Sequence, residues 1–205
     1  MQMKKVLLTA IMAVSVVGSS FAADWDLGVD PSASWFGWVN AFELDGTTFA
    51  AGFGEDTATG RGTFSGATLN MQPNTRLYDD VLFDAFWVDQ TTFLPNKIVE
   101  FNMYQEYAAN IGDTVQFDFE TIASDVPAGY EAVGFIKVLD AFASWATTQF
   151  ESVALVPGES KTLTLTVADA GSGAEFIQTG FYLKGVAVAG TSPEALTGVQ
   201  IIPEP

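Results

Sequence analysis

Ile98-Val99-Glu100-Phe101-Asn102-Met103-Tyr104-Gln105-Glu106-Tyr107 and, after a short break, Thr114-Val115-Gln116-Phe117-Asp118-Phe119-Glu120-Thr121-Ile122 decide how this chain folds. Both runs alternate with a period of two, the signature of a strand with one buried and one wet face. In the first, Val99, Phe101, Met103 and Tyr107 share a face, Gln105 being the exception, while Glu100, Asn102, Tyr104 and Glu106 share the other. In the second, Val115, Phe117 and Phe119 oppose Gln116, Asp118 and Glu120. Closing the two as a hairpin around Asn110-Ile111-Gly112 sets Glu106 opposite Gln116, Tyr104 opposite Asp118 and Asn102 opposite Glu120. The shared apolar side then packs on a second sheet.

The same pattern extends along the chain. Strands are expected over Trp35–Leu44, Thr47–Phe53, Gly62–Asn70, Val81–Val88, Ala132–Leu139, Phe150–Leu155, Lys161–Ala168, Phe176–Val188 and Thr197–Ile202. Turn residues punctuate them: Asp45-Gly46, Pro95-Asn96, Gly112-Asp113, Pro157-Gly158 and Gly171-Ser172-Gly173. Asp140–Thr148 has room for one helical turn. Val133–Leu139 is apolar on both faces and reads as a central strand interrupted by Lys137, whose ammonium either snorkels and pairs with a carboxylate or stands at a binding surface. The expected class is all-β, a two-sheet antiparallel β-sandwich of jelly-roll type.

The ends are read differently. Lys4 and Lys5 precede an apolar run from Val6 to Val17, and Ser20-Phe21-Ala22 supplies small residues before a cut ahead of Ala23. That is a secretory signal peptide; the apolar run is shorter than the ~20 residues a membrane-crossing helix needs. The organisation expected is a signal peptide over 1–22, a single β-sandwich over 23–202 and a distinct terminal tripeptide over 203–205.

Composition excludes much. With no His and no Cys, imidazole catalysis, thiolate nucleophiles, disulfides and the common zinc ligands are all absent. The 25 acidic residues against 8 basic ones give a net charge of −17, and removal of Lys4 and Lys5 with the leader makes it more negative. Nucleic acid is therefore not an expected partner, nor is an anionic membrane surface. Structural calcium is the one cofactor left open, through Asp79-Asp80, Asp84 and Asp89, with Asp45 and Asp56 elsewhere.

Pro203-Glu204-Pro205 resembles the opening of a PEP-CTERM sorting signal, in which that tripeptide precedes a transmembrane helix and an Arg-rich tail. The run Val29-Asp30-Pro31-Ser32-Ala33-Ser34-Trp35-Phe36-Gly37-Trp38 and the pieces Asn96-Lys97 and Phe135-Ile136-Lys137 are similar to secreted PEP-CTERM proteins without an assigned activity. This resemblance implies a chain cut at the tripeptide, export to the extracellular space or outer surface of a Gram-negative-type bacterium, and exosortase-type machinery as a partner if a C-terminal helix follows. Gly112-Asp113-Thr114-Val115-Gln116-Phe117 resembles jelly-roll carbohydrate-binding modules, which adds exopolysaccharide or a cell-surface glycan as a partner.

The residues that could meet a sugar are Tyr104, Asn102, Glu100, Asp118 and Glu120 around the expected hairpin, with Trp35 and Trp38. An aromatic ring stacks on the apolar face of a pyranose, and amides and carboxylates bond its hydroxyls. Trp87, Tyr130 and Trp145 are further aromatic candidates. Two alternatives stand beside a non-catalytic polysaccharide-binding module. One is a purely structural, self-associating matrix protein. The other is a carboxylate glycoside hydrolase using pairs among Glu100, Glu106, Asp118 and Glu120, since such enzymes need two acids roughly 5–10 Å apart.

Overall fold

The computed structural model describes residues 22–169 and 175–204. The leader, the Gly171-Ser172-Gly173 turn and Pro205 lie outside the described residues. Two six-stranded sheets pack face to face as a β-sandwich. The first contains β1 (Asp24–Gly28), β4 (Gly62–Ser65), β5 (Thr68–Met71), β7 (Thr114–Ser124), β10 (Glu159–Thr166) and β12 (Val199–Ile202). The second runs in the order β3 (Phe49–Glu55), β2 (Phe36–Phe42), β6 (Ile98–Ala109), β11 (Glu175–Val186), β8 (Glu131–Asp140) and β9 (Ala146–Ala154). All pairs are antiparallel except β1 with β7, which run parallel. A short helix α1 (Arg76–Asp79) and a 3₁₀ turn at Pro193–Leu196 complete the described elements. Among the described residues no helix is long and apolar enough to cross a membrane.

The expected hairpin between β6 and β7 does not form. β6 pairs with β2 and β11, whereas β7 pairs with β10, β1 and β12. The two strands lie in opposite sheets, and their apolar faces meet across the core. Alternation assigned the faces correctly but cannot tell an edge-to-edge pair from a face-to-face one. The connection arches between sheets because its hydrogen bonds go to distant segments: Gly112 N–H donates to Val167 O at 2.8 Å and Thr114 N–H to Ala23 O at 2.9 Å. Gln105 is explained by the same arch. It points inward with 2% of its surface exposed and donates to the Gly28 carbonyl at 3.0 Å.

Three local expectations also change. Gly62–Asn70 is not one strand but the hairpin β4–β5, turning at Gly66. Val81–Val88 is a set of tight turns held by Asp84, whose carboxylate accepts from the Phe86 amide at 2.9 Å and whose carbonyl accepts from Trp87 and Val88. The Asp140–Thr148 helical turn is instead a reversal over residues 141–145 leading into β9.

At the centre of the sandwich Phe181 packs on Phe117 and Phe119, with ring centroids 5.3 and 5.0 Å apart. All three are fully buried. Gly134 makes room for this cluster, because a Cβ there would stand 2.5 Å from the Phe119 ring. Truncating one such phenylalanine to alanine costs about 3–5 kcal/mol, so the core is enough to hold the sheets in register.

Candidate functional site

The outer face of the second sheet carries the polar half of β6. Register places Trp38 beside Asn102 and Phe36 beside Tyr104 on β2, and Gln178 beside Glu106 on β11. Gln178 in turn adjoins Lys137 on β8, and Lys137 adjoins Phe150 on β9. Side chains on these alternate positions face outward together. They line a groove of about 570 Å³ floored by Asn102, Tyr104, Gln178 and Lys137 and walled by Trp38 and Phe49 on one side and Ser144 and Trp145 on the other. A second hollow of about 470 Å³, over Phe36, Trp38 and Tyr104, continues it.

Side-chain hydrogen bonds fix the floor. Trp38 Nε1 donates to Asn40 Oδ1 at 2.9 Å, and Asn40 Nδ2 to Glu100 Oε1 at 2.9 Å. Asn102 Nδ2 donates to the same Glu100 oxygen at 3.0 Å, and Lys137 Nζ donates to Asn102 Oδ1 at 2.9 Å. Lys137 reaches Asn102 by crossing β11 at Gly180. No larger residue fits there, since a Cβ would approach the Met103 carbonyl to 2.2 Å. One carboxylate thus orients two amides, an indole and an ammonium. Glu100 is therefore committed to the framework of the site.

Charge at the floor follows from burial. Burial lowers the Lys137 pKa, and Glu100 partly restores it. Burial raises the Tyr104 phenol and Glu106 adds to the rise, while a hydrogen bond with Gln178 opposes both. Tyr104 is therefore a neutral donor and acceptor.

The walls are aromatic and exposed: Trp38 is 40% and Trp145 53% accessible. Trp145 sits in a two-residue turn in which both Ser144 (φ 56°) and Trp145 (φ 61°) are left-handed. The turn is closed by a bond from the Ala146 amide to the Ala143 carbonyl at 3.1 Å. Turns with two positive φ values favour Asn and Gly. A tryptophan held there is strained in the way that functional positions often are. It packs at a tilt against Phe176, with ring centroids 5.2 Å apart, and projects at the groove's edge.

Of the residues singled out from sequence, the structure brings Glu100, Asn102, Tyr104 and Trp38 together on this face. Asp118 and Glu120 lie on the outer face of the opposite sheet. There Asp118 accepts from Thr162 Oγ1 at 2.5 Å and Gln116 Nε2 at 2.7 Å. The cross-hairpin acid pairs vanish with the hairpin. Trp35 packs inward on Phe64 and Phe181, and Tyr130 and Trp87 pack against the core. Phe36, Asn40, Phe49 and Gln178 were missed. The parity of Phe36, Trp38 and Asn40 was the available signal, because it separates them from Trp35.

The aspartates considered for calcium have other work. Asp79 accepts from the Gly190 amide, Asp80 pairs with Arg76, and Asp45, Asp56, Asp84 and Asp89 cap turns. Among the described residues no three acids converge on a metal site.

No family model and no curated protein matches the chain. Solved structures similar to it include a CBM4 module, with 14% identity over 67% of this chain and 70% of that one and a TM-score of 0.30. Another is TmCBM61 in complex with β-1,4-galactotriose, with 13% identity over 86% of both chains and a TM-score of 0.33. A third is a carbohydrate-binding module of the β-sandwich superfamily, with 12% identity, 85% coverage of both chains and a TM-score of 0.27. Likeness at this level carries no argument about the site, which stands on its own residues.

Proposed function

We propose that this chain is an exported, non-catalytic β-sandwich that binds polysaccharide along the outer face of its second sheet, at the surface of a bacterium or in the matrix around it. One observation carries the reading. Exposed Trp38 and Trp145 flank a single groove whose floor presents a phenol beside an amide and an ammonium that hydrogen bonds already hold in place. β2 and β8, the strands on either side, are three strand spacings apart, about 14 Å, a width suited to a sugar chain lying across β6 and β11. Aromatic rings take the apolar faces of pyranoses, and fixed polar groups take their hydroxyls. The leader and the terminal Pro-Glu-Pro support export and surface sorting through exosortase-type machinery.

The test is a glycan array with purified protein, followed by titration calorimetry on Trp38→Ala and Tyr104→Ala. Saturable binding that weakens about tenfold or more in each variant, about 1.4 kcal/mol, supports the reading. A blank array, with ordered self-association through exposed Phe49, Phe142 and Phe150, turns it into a structural matrix protein.

A further inference from the structure

Among the described residues Lys137 is the one basic side chain that lines the groove. An ammonium has three N–H donors. One goes to Asn102 Oδ1 at 2.9 Å, and the group also stands 4.2 Å from the Phe135 ring centroid and 5.7 Å from that of Phe150. Among the described residues no carboxylate lies within ion-pairing distance of it; Arg76, Lys97 and Lys161 each have one, whereas Arg61 bonds Gln72 and the Ala195 carbonyl and Lys184 lies over the Phe42 ring. In a chain with 25 acids and 8 bases, a desolvated lysine left without a carboxylate is an unfilled position. Burial already disfavours its charge, with Glu100 opposing only in part, so an anion delivered from outside gains by meeting it.

The surroundings are those of a built acceptor site. Asn102, 2% exposed, is clamped by Glu100, and it fixes the ammonium in turn. The hydroxyls of Ser144 and Thr147 line the same wall and are exposed to the groove. We propose, building on the groove's assignment to polysaccharide, that Lys137 makes it selective for acidic sugars, its ammonium taking the carboxylate of a hexuronate residue.

Two opposing charges must be weighed. Glu106 lines the same groove, where Gln178 Nε2 already donates to its Oε2 at 2.7 Å, and Glu100 lies beyond Asn102, whose Nδ2 donates to it at 3.0 Å. Coulomb energy falls as the inverse of distance, so a carboxylate about 3 Å from the ammonium is attracted more than it is repelled wherever both acids stand more than about 6 Å from it. The remaining negative charge of the chain is screened beyond about 8 Å at physiological salt. The local ammonium therefore wins at the groove, and the acidic exterior only slows the approach.

The experiment compares polymers of galacturonic, glucuronic and mannuronic acid with their carboxyl-reduced neutral counterparts, by calorimetry on the intact protein and on Lys137→Met and Lys137→Arg. At least one uronate polymer is expected to bind tenfold or more tightly than its reduced form. Lys137→Met should erase that preference, the uronate polymer losing at least tenfold more affinity than its neutral counterpart, and Lys137→Arg should retain it. Equal affinity of the wild type for every acidic and neutral pair overturns the role of Lys137 and leaves the groove standing. Binding of no polymer of either kind overturns the groove as well.

Discussion

Asp113 has no exposed surface, yet it lies at the edge of the sandwich beside the start of β1. Its Oδ1 accepts from the Ala23 amide at 2.8 Å, and its Oδ2 from the Asn110 amide at 2.9 Å and from Trp25 Nε1 at 3.3 Å. Burial pushes this carboxyl up, and those bonds outweigh it and hold it below the ordinary value. Under the export we propose, with cleavage directly before Ala23, the donor to Oδ1 becomes an α-ammonium instead of an amide. At 2.8 Å an effective dielectric of 20 gives a gross attraction of about 6 kcal/mol. Desolvating the ammonium at an exposed terminus cancels most of it, leaving about 1–2 kcal/mol. For a domain of this size that is a melting shift of about 2–8 °C. The comparison is a chain beginning at Ala23 with its Nα-acetylated form, by differential scanning fluorimetry. At pH 7 the free amine should melt higher. Near pH 10, above the ordinary α-amino value of about 8, the gap should close. Coincident melting at pH 7, or a gap unchanged at pH 10, refutes the ion pair.

Two further outcomes follow from the site and its turns. Trp145→Gly removes a left-handed tryptophan, which relieves about 1–2 kcal/mol, and loses a partly exposed tilted ring contact with Phe176 of similar size. The melting temperature should therefore move by no more than about 4 °C while glycan affinity falls tenfold; a loss above about 2 kcal/mol contradicts the strain. The pH dependence should be flat from about 5 to 9, with a limb on either side. Side-chain and backbone bonds from Thr48, and bonds from Thr92 and Thr91, hold Asp45 and Asp89 below the ordinary carboxyl value. Their contribution is present above that value and lost as pH falls through the lowered one. Burial, with Glu100 and Glu131, pushes Tyr182 up to about 12. It stabilises below its unfolded value of 10.0 and that contribution is lost as pH climbs toward 12. Lys137, its pKa lowered, acts in the opposite sense over the same range, but Tyr104, Tyr107 and Tyr130 side with Tyr182. Tyr182→Phe should make the alkaline limb shallower in equilibrium unfolding followed by circular dichroism, and an unchanged limb refutes this assignment.

Parity along a strand is a local property, and everything it governs was legible. It put Val99, Phe101 and Met103 in the core and Glu100, Asn102 and Tyr104 outside, and it would also have separated Trp38 from Trp35. Pairing is not local. β6 meets β2 about 60 residues earlier and β11 about 75 residues later, and the arch that replaces a hairpin is fixed by Ala23 and Val167. Asp118 and Glu120 were therefore attached to the wrong face through a partner strand that the alternation could not exclude. Lys137 shows the limit most clearly. As a residue it is conspicuous in Val133–Leu139, but its meaning depends on β11 lying between β8 and β6 with glycine at the crossing. A bulkier residue at 180 would leave the alternation of β6 and β8 intact. It would nevertheless separate Lys137 from Asn102. The groove's chemistry is set by the order of strands across the sheet, and that order is fixed by contacts far apart in the chain.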